Sequence, residues 1–310
     1  MKNKQFLRKN FEEKQSGFQN YFDNNGLKNF RCDHDNALRG FGIGDLDPID
    51  KLNLEKKLRL SDKLITITKD KKFFRKMYER IAFLYHGMNL KQKLESKYIF
   101  AKYYGIASNA KPIEEISDNL IGNPKNVLKV NGNSYTFSLL RFYLLYAQSC
   151  RIIDWEKIDS MVEIGGGFGM QSEIIKRLHP HIENILLDLP EQGKLQEKYL
   201  KATLPNFEKV KIIQTDELGE QNFDVLWNSM SFERMNTKFV DYYLEDANKN
   251  AKKFVCLHNT MKIINEFGFN KENYIESLSN FDLIYDEPSI GQFLETHHNL
   301  TCAIFKQKNK

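Results

Sequence analysis

The stretch that most constrains this chain is Met161-Val-Glu-Ile-Gly-Gly-Gly-Phe-Gly169. A short apolar run carries the acid Glu163, glycines stand at 165, 167 and 169, and a helix-like segment, Gln171–Leu178, follows. Strand, glycine turn and helix in that order open an α/β unit. Glycine lets the backbone turn tightly and lets a ligand approach it closely, and the helix start behind it offers free N–H groups.

From residue 156 onward strand-like runs alternate with helical patterns. The strands are expected at Met161–Ile164, Asn184–Asp188, Val210–Gln214, Asp224–Trp227, Lys253–Leu257, Phe281–Tyr285 and Leu300–Phe305. Gln171–Leu178 and Phe239–Asn248 are two of the helices between them. This alternation predicts a mostly parallel sheet covered by helices on both faces. The link Asp286 to Asn299 contains Pro and Gly and suits an antiparallel return better than a crossover helix. The expected fold is therefore α/β, with a seven-stranded Rossmann-like sheet of six parallel strands and one reversed. Ligands of such sheets sit beyond the carboxyl ends of the strands, at the switch point.

Residues 1–155 lack this alternation and read as a mainly helical cap or substrate region, with 156–310 as the nucleotide-binding domain. Asp70–Tyr85 and Phe137–Ile152 have helical spacing. Gly40-Phe-Gly-Ile-Gly44 follows no strand-like run and reads as a loop.

Composition narrows the function classes. At 310 residues with 41% apolar content the chain buries a full core rather than staying disordered. The net charge of +5 comes from interleaved charges, which read as solvated surface, so no nucleic-acid partner is expected. Cys32, Cys150, Cys256 and Cys302 form no Cys-x-x-Cys pair, and none stands beside another ligand at metal spacing. They suit a reducing compartment. No apolar run of about 18 residues suggests a membrane span. The start, Met-Lys-Asn-Lys-Gln-Phe, has no signal-peptide core, so a cytoplasmic location is expected.

The loop does not satisfy the dinucleotide pattern Gly-x-Gly-x-x-Gly. Counted from Gly165 the third glycine position holds Met170, and counted from Gly167 it holds Ser172. The alternate glycines after an acid instead resemble motif I of class I S-adenosylmethionine-dependent methyltransferases. That resemblance implies a cofactor site at Glu163, Gly165, Gly166 and Gly167, with the loop under the amino-acid part of the cofactor. Asn184-Ile-Leu-Leu-Asp188-Leu-Pro190 ends in an acid 25 residues after Glu163. A carboxylate at that tip can accept both ribose hydroxyls of an adenosine. Its alternative role is a helix N-cap, with Pro190 opening the helix. The Asp188-Leu189-Pro190 ending resembles small-molecule O-methyltransferases. The resemblance further implies Leu189, Thr215, Asp216 and Asn228 as cofactor residues, with Asp216 near the adenine and Asn228 at the strand tip that borders the transferred methyl, and Ser231 as a substrate residue.

Two flanking segments resemble bacterial sugar O-methyltransferases. One is Asn131-Gly-Asn-Ser-Tyr135-Thr-Phe-Ser138-Leu-Leu-Arg141-Phe-Tyr143. The other is Ser231-Phe-Glu-Arg-Met235, whose Glu233 stands one place earlier than in the family segment. The resemblance covers roughly residues 125–235. It implies methyl transfer to a hydroxyl of a sugar, free, nucleotide-activated or within a surface glycan, and leaves a homodimer open.

A sugar hydroxyl is a poor nucleophile at neutral pH, so a general base is expected. His258 directly follows the fifth expected strand; His297 and His298 precede the last; Glu233 is the fourth candidate. His179 and His181 lie at the far end of the first helix, and His34 reads as a turn residue. Tyr135 and Arg141 are candidate substrate residues, Arg141 for a phosphate. Tyr143 and Tyr146 read as core aromatics. Asp33-x-Asp35 and Asp45-x-Asp47 offer oxygen ligands but sit at no strand tip, so no metal is assigned. The rival readings are methylation of another small molecule, a nicotinamide-dependent oxidoreductase using the same loop, and a non-catalytic nucleotide-binding module.

Overall fold

The computed structural model describes residues 89–214, 218–220, 222–263, 267–291 and 300–308. The helix expected at Asp70–Tyr85, the loop at Gly40–Gly44, Cys32, His34 and the two Asp-x-Asp pairs lie outside the described residues.

The chain forms two compact units, with 152–289 and 300–308 in one and 89–151 with 290–291 in the other. The second contains α1 (Leu90–Ala107), the strands β1 (Leu128–Val130) and β2 (Asn133–Tyr135), and α2 (Phe137–Ser149). Asn89 and Gln92 close a capping box at the start of α1. β1 and β2 form a hairpin within a region whose texture is mainly helical, turned by Asn131 (φ 50°) and Gly132 (φ 86°). Asn-Gly accepts those positive angles, which match the twist of paired strands. Thr136 then caps α2 through its hydroxyl, 3.2 Å from the Leu139 N–H.

The first unit is built on a seven-stranded sheet. Its strands are β3 (Ser160–Ile164), β4 (Glu183–Leu187), β5 (Val210–Ile213), β6 (Phe223–Ser229), β7 (Ala251–Thr260), β8 (Phe281–Pro288) and β9 (Leu300–Gln307). Their order is β5-β4-β3-β6-β7-β9-β8, with β9 antiparallel to both neighbours and the other pairings parallel. A doubly wound dinucleotide sheet has the order 3-2-1-4-5-6; here a reversed last strand is inserted before the sixth. This is the sheet expected of a class I methyltransferase.

The connecting helices are α3 (Met170–Leu178), α4 (Pro190–Thr203), α5 (Thr237–Asn250) and α6 (Lys271–Ser277). β3, β4 and β6 are almost wholly buried, the mark of strands covered on both faces. One face packs Val162, Ile164, Leu226 and Val255 against Phe239 and Tyr243 of α5. Among the described residues no helix is long and apolar enough to cross a membrane.

β3, β6, β7, β8 and β9 run longer than the apolar runs suggested, whereas β4 keeps its length one residue earlier and β5 ends one residue sooner, at Ile213. β7 extends to Thr260 because β9 pairs with it that far, Thr260 opposite Leu300. His258 and Asn259 therefore lie within the strand, not beyond it.

Candidate active site

The glycine loop sits at the carboxyl end of β3, as expected, and its three consecutive glycines answer to different constraints. Gly165 has φ +71°, and a side chain there would collide with Ser231. Gly166 faces Glu163: a Cβ would come within 2.8 Å of that side chain's Cδ. Gly167 has φ +59° and open space where a Cβ would be. Only at Gly167 is the loop's surface clear for a ligand. Beside it, Gln171 in the first turn of α3 is fully buried, and its amide has no partner among the described residues.

Glu163 is buried, and the Ser172 hydroxyl donates to it at 2.5 Å. Burial is the main cause that pushes its carboxyl up to about 7, with the nearby Asp188 adding to it and Ser172 opposing. The folded protein thus keeps this proton up to near pH 7, whereas the unfolded chain releases it near 4.5. Stability attributable to Glu163 falls as pH rises through that window. Glu163→Gln, which carries no ionisable group, is expected to flatten the loss of stability between about pH 5 and pH 8, measured by urea unfolding at each pH. Asp188, whose carboxyl burial likewise lifts to about 7, leaves part of the slope in place.

Asp188 follows β4, but it does not cap the next helix. Leu189 holds the N-cap position without a side-chain bond, and Pro190 opens α4. The Asp188 carboxylate accepts the Leu189 N–H at 2.8 Å and the Gln196 amide at 3.0 Å. The Gly167 N–H also bonds this carboxylate, so of its roughly four acceptor positions one remains, and a ribose diol would take it and displace one of these partners. Gln192 and Gln196, one turn apart on α4, also donate to the Gly167 carbonyl at 2.5 and 3.0 Å. Sequence reasoning missed this pair, although two glutamines four residues apart after an acidic strand tip share a helix face. A groove of about 410 Å³ is lined by Asp188, Leu189, Ile213 and Gln214 together with residues of α4 and β5. Thr215 and Asp216 lie outside the described residues.

At the β6 tip, Asn228 is fully buried and its amide is saturated. It donates to the Ile164 carbonyl at 2.8 Å and to Ser231, and accepts from Asn259 at 2.8 Å and Phe232 at 3.3 Å. No donor or acceptor remains for a cofactor, so Asn228 acts by tying the tips of β3, β6 and β7 together. Ser231 also donates to the Ile164 carbonyl, at 3.1 Å, against the Gly165 backbone. Glu233, half-buried, accepts both the N–H and the hydroxyl of Thr260 on one carboxylate oxygen. Its other oxygen has no partner among the described residues.

His258 departs from expectation. It is completely buried inside β7, with Nδ1 3.2 Å from the Ser289 hydroxyl and Nε2 facing the sulfurs of Cys256 and Cys302. An imidazole so enclosed has no path to a substrate hydroxyl, and the general-base assignment falls. Burial raises both thiols. In Cys256 the hydrogen bond to Cys302 and the adjacent His258 outweigh it and draw that thiol down, while Cys302 is pushed up.

His297 and His298 lie outside the described residues. Tyr135 is buried, its ring tilted against that of Tyr98 with centroids 4.6 Å apart, and Arg141 is buried on α2; neither presents the exposed group expected of a substrate contact. Tyr143 is core, its hydroxyl donating to the Lys111 carbonyl at 2.8 Å, and Tyr146 is buried beside it. His179 ends α3 as expected, beside Glu156 and His181.

Residues 126–217 match the family model described as the O-methyltransferase domain. The segment runs from the β1–β2 hairpin through the glycine loop to the end of β5. Over this segment the chain is similar to an O-methyltransferase domain.

No curated protein matches the chain in sequence. Among solved structures, the mitomycin 7-O-methyltransferase MmcR is similar at 12% identity over 55% of this chain and 54% of its own, TM-score 0.44. The pyocyanin biosynthetic protein PhzM is similar at 16% identity over 55% of this chain and 57% of its own, TM-score 0.43. Human N-acetylserotonin methyltransferase is similar at 13% identity over 55% and 56%, TM-score 0.38. The chain thus spans little more than half the length of these structures.

Proposed function

We propose that this protein transfers the methyl group of S-adenosylmethionine to a sugar hydroxyl, on a nucleotide-activated sugar or a surface-glycan precursor. The observation that carries the reading is Glu233, a half-buried carboxylate at the β6 tip with one oxygen anchored by Thr260 and the other without a partner among the described residues. The resemblance of Asn131–Tyr143 and Ser231–Met235 to sugar O-methyltransferases supports the sugar as acceptor. A nucleotide-sugar acceptor suits a cytoplasmic enzyme.

In this reading the cofactor's sulfonium supplies an activated methyl. The glycine loop, Asp188 and the α3 N-terminus hold and orient the donor, so catalysis is chiefly in-line positioning. Thr260 fixes the Glu233 carboxylate, whose other oxygen would accept the hydroxyl proton as the methyl passes from the sulfonium to the acceptor oxygen and leaves S-adenosylhomocysteine as the neutral thioether.

Incubating the protein with S-adenosylmethionine and a panel of nucleotide-sugars, read by mass spectrometry, tests the substrate class. A methylated sugar is the expected product; turnover only with aromatic acceptors sinks the sugar reading. Glu233→Gln is expected to lower kcat by about 10²–10⁴-fold while leaving S-adenosylhomocysteine affinity within about twofold. Unchanged turnover removes Glu233 as the base.

A further inference from the structure

Cys256, His258 and Cys302 come together on one face of the sheet. Cys256 and His258 alternate along β7, and Cys302 stands opposite His258 on β9. All three are fully buried. Their ligand atoms lie within 4.8 Å of one another, with Cys256 Sγ 3.6 Å and Cys302 Sγ 3.7 Å from His258 Nε2. These are the edges of a metal tetrahedron: Zn–S of about 2.3 Å and Zn–N of about 2.0–2.1 Å set S···N at about 3.5–3.6 Å.

The surroundings fit an ion better than a simple hydrogen-bonded trio. Nε2 has a single proton or a single lone pair, so it bonds one thiol well, yet two sulfurs lie at nearly the same range. Ser289, itself buried, engages Nδ1 at 3.2 Å. A proton on Nδ1 donated to that hydroxyl leaves the Nε2 lone pair facing the sulfurs, the arrangement in which metal-bound histidines are held. The Trp227 ring covers the imidazole at 5.0 Å.

We propose that Cys256, His258 and Cys302 bind a structural Zn²⁺ that clamps β7 to β9. Two thiols release their protons on binding, so the ion and two thiolates sum to zero charge, which suits a site cut off from water. Imidazole and thiolate select zinc over the hard cations magnesium and calcium. Three protein ligands are one fewer than in most structural zinc sites, so the fourth position falls to a single water enclosed together with the ion. The clamp lies one and two residues before Asn259 and Thr260, which hold Asn228 and Glu233. Zinc here orders the tip of β7 and takes no part in methyl transfer.

The test uses the untagged full-length protein from zinc-supplemented cells, desalted and analysed for metals, with Co²⁺ exchange as a second measurement. About one zinc per chain is expected, and cobalt should give the thiolate charge-transfer and intense visible bands of a tetrahedral sulfur-ligated site. Cys302→Ala should lose the metal, whereas Cys150→Ser should keep it. The wild-type cobalt spectrum decides the matter if Cys302→Ala does not fold. Protein without zinc and without a cobalt–thiolate band overturns the proposal. So does zinc that persists in folded Cys302→Ala and disappears in His181→Ala, because it then belongs to the Glu156, His179 and His181 cluster.

Discussion

Asp188→Ala is expected to weaken S-adenosylhomocysteine binding by about 100-fold, because a hydrogen bond to a charged group contributes about 1.5–3 kcal/mol and a ribose diol makes two, part of which water replaces. Isothermal titration measures it directly. The pH dependence is a sharper signature. Burial holds the Asp188 carboxyl near 7 in the free protein. Ribose hydroxyls donate to the ionised form, so wild-type affinity should rise from about pH 6 to pH 8, and Asp188→Asn should abolish the rise. Equal affinity of wild type and Asp188→Ala would move the ribose elsewhere. Gln196→Ala offers a milder companion, since it frees one Asp188 oxygen and one bond to the Gly167 carbonyl.

Gly165→Ala is expected to destabilise the protein by about 2–5 kcal/mol. A left-handed conformation costs a non-glycine residue about 1–2 kcal/mol, and overpacking adds about 1–3. Both apply, since Gly165 has φ +71° and its missing Cβ would meet the Ser231 side chain. In a domain of this size the midpoint of thermal unfolding should fall by about 5–15 °C. Ser231→Gly removes the collision but not the backbone strain, so in a Ser231→Gly background, which already lacks the bonds to Asn228 and Ile164, Gly165→Ala should recover roughly half of its loss. Full recovery would show that the φ angle is unimportant; no recovery would show that the Ser231 contact is. Gly167→Ala meets no neighbour and should cost only the conformational part.

All seven strands were legible because buried parallel strands write themselves as short apolar runs separated by turns and helical patterns. The reversed last strand was legible from the link before it, which suits a return rather than a crossover. The hairpin at Asn131-Gly132 was equally readable from its turn pair but hidden by the helical texture around it. Strand ends were less legible. An edge is set by how far the neighbouring strand keeps bonding, and for β7 that neighbour, Leu300 opposite Thr260, lies 40 residues later.

The candidate site divides the same way. The glycine loop and Asp188 are local features, in which a turn, a close approach and a strand tip follow from adjacent residues. His258 and Asn228 carried the right chemistry at the right distance along the chain, yet one faces two sulfurs and a serine and the other is saturated by β3, β7 and its own loop. Their partners come from strands tens of residues away.

The amino-acid sequence by itself determined the α/β class, the glycine turn and the acid that answers it, because these depend on period, backbone freedom and charge over short spans. Only the tertiary structure decided which polar side chains at the strand tips remain available to a ligand and which are enclosed. Alternation along a strand tells which residues share a face, but the elements that cover that face arrive from distant parts of the chain, and their packing determines whether an imidazole meets water, substrate or a pair of thiols.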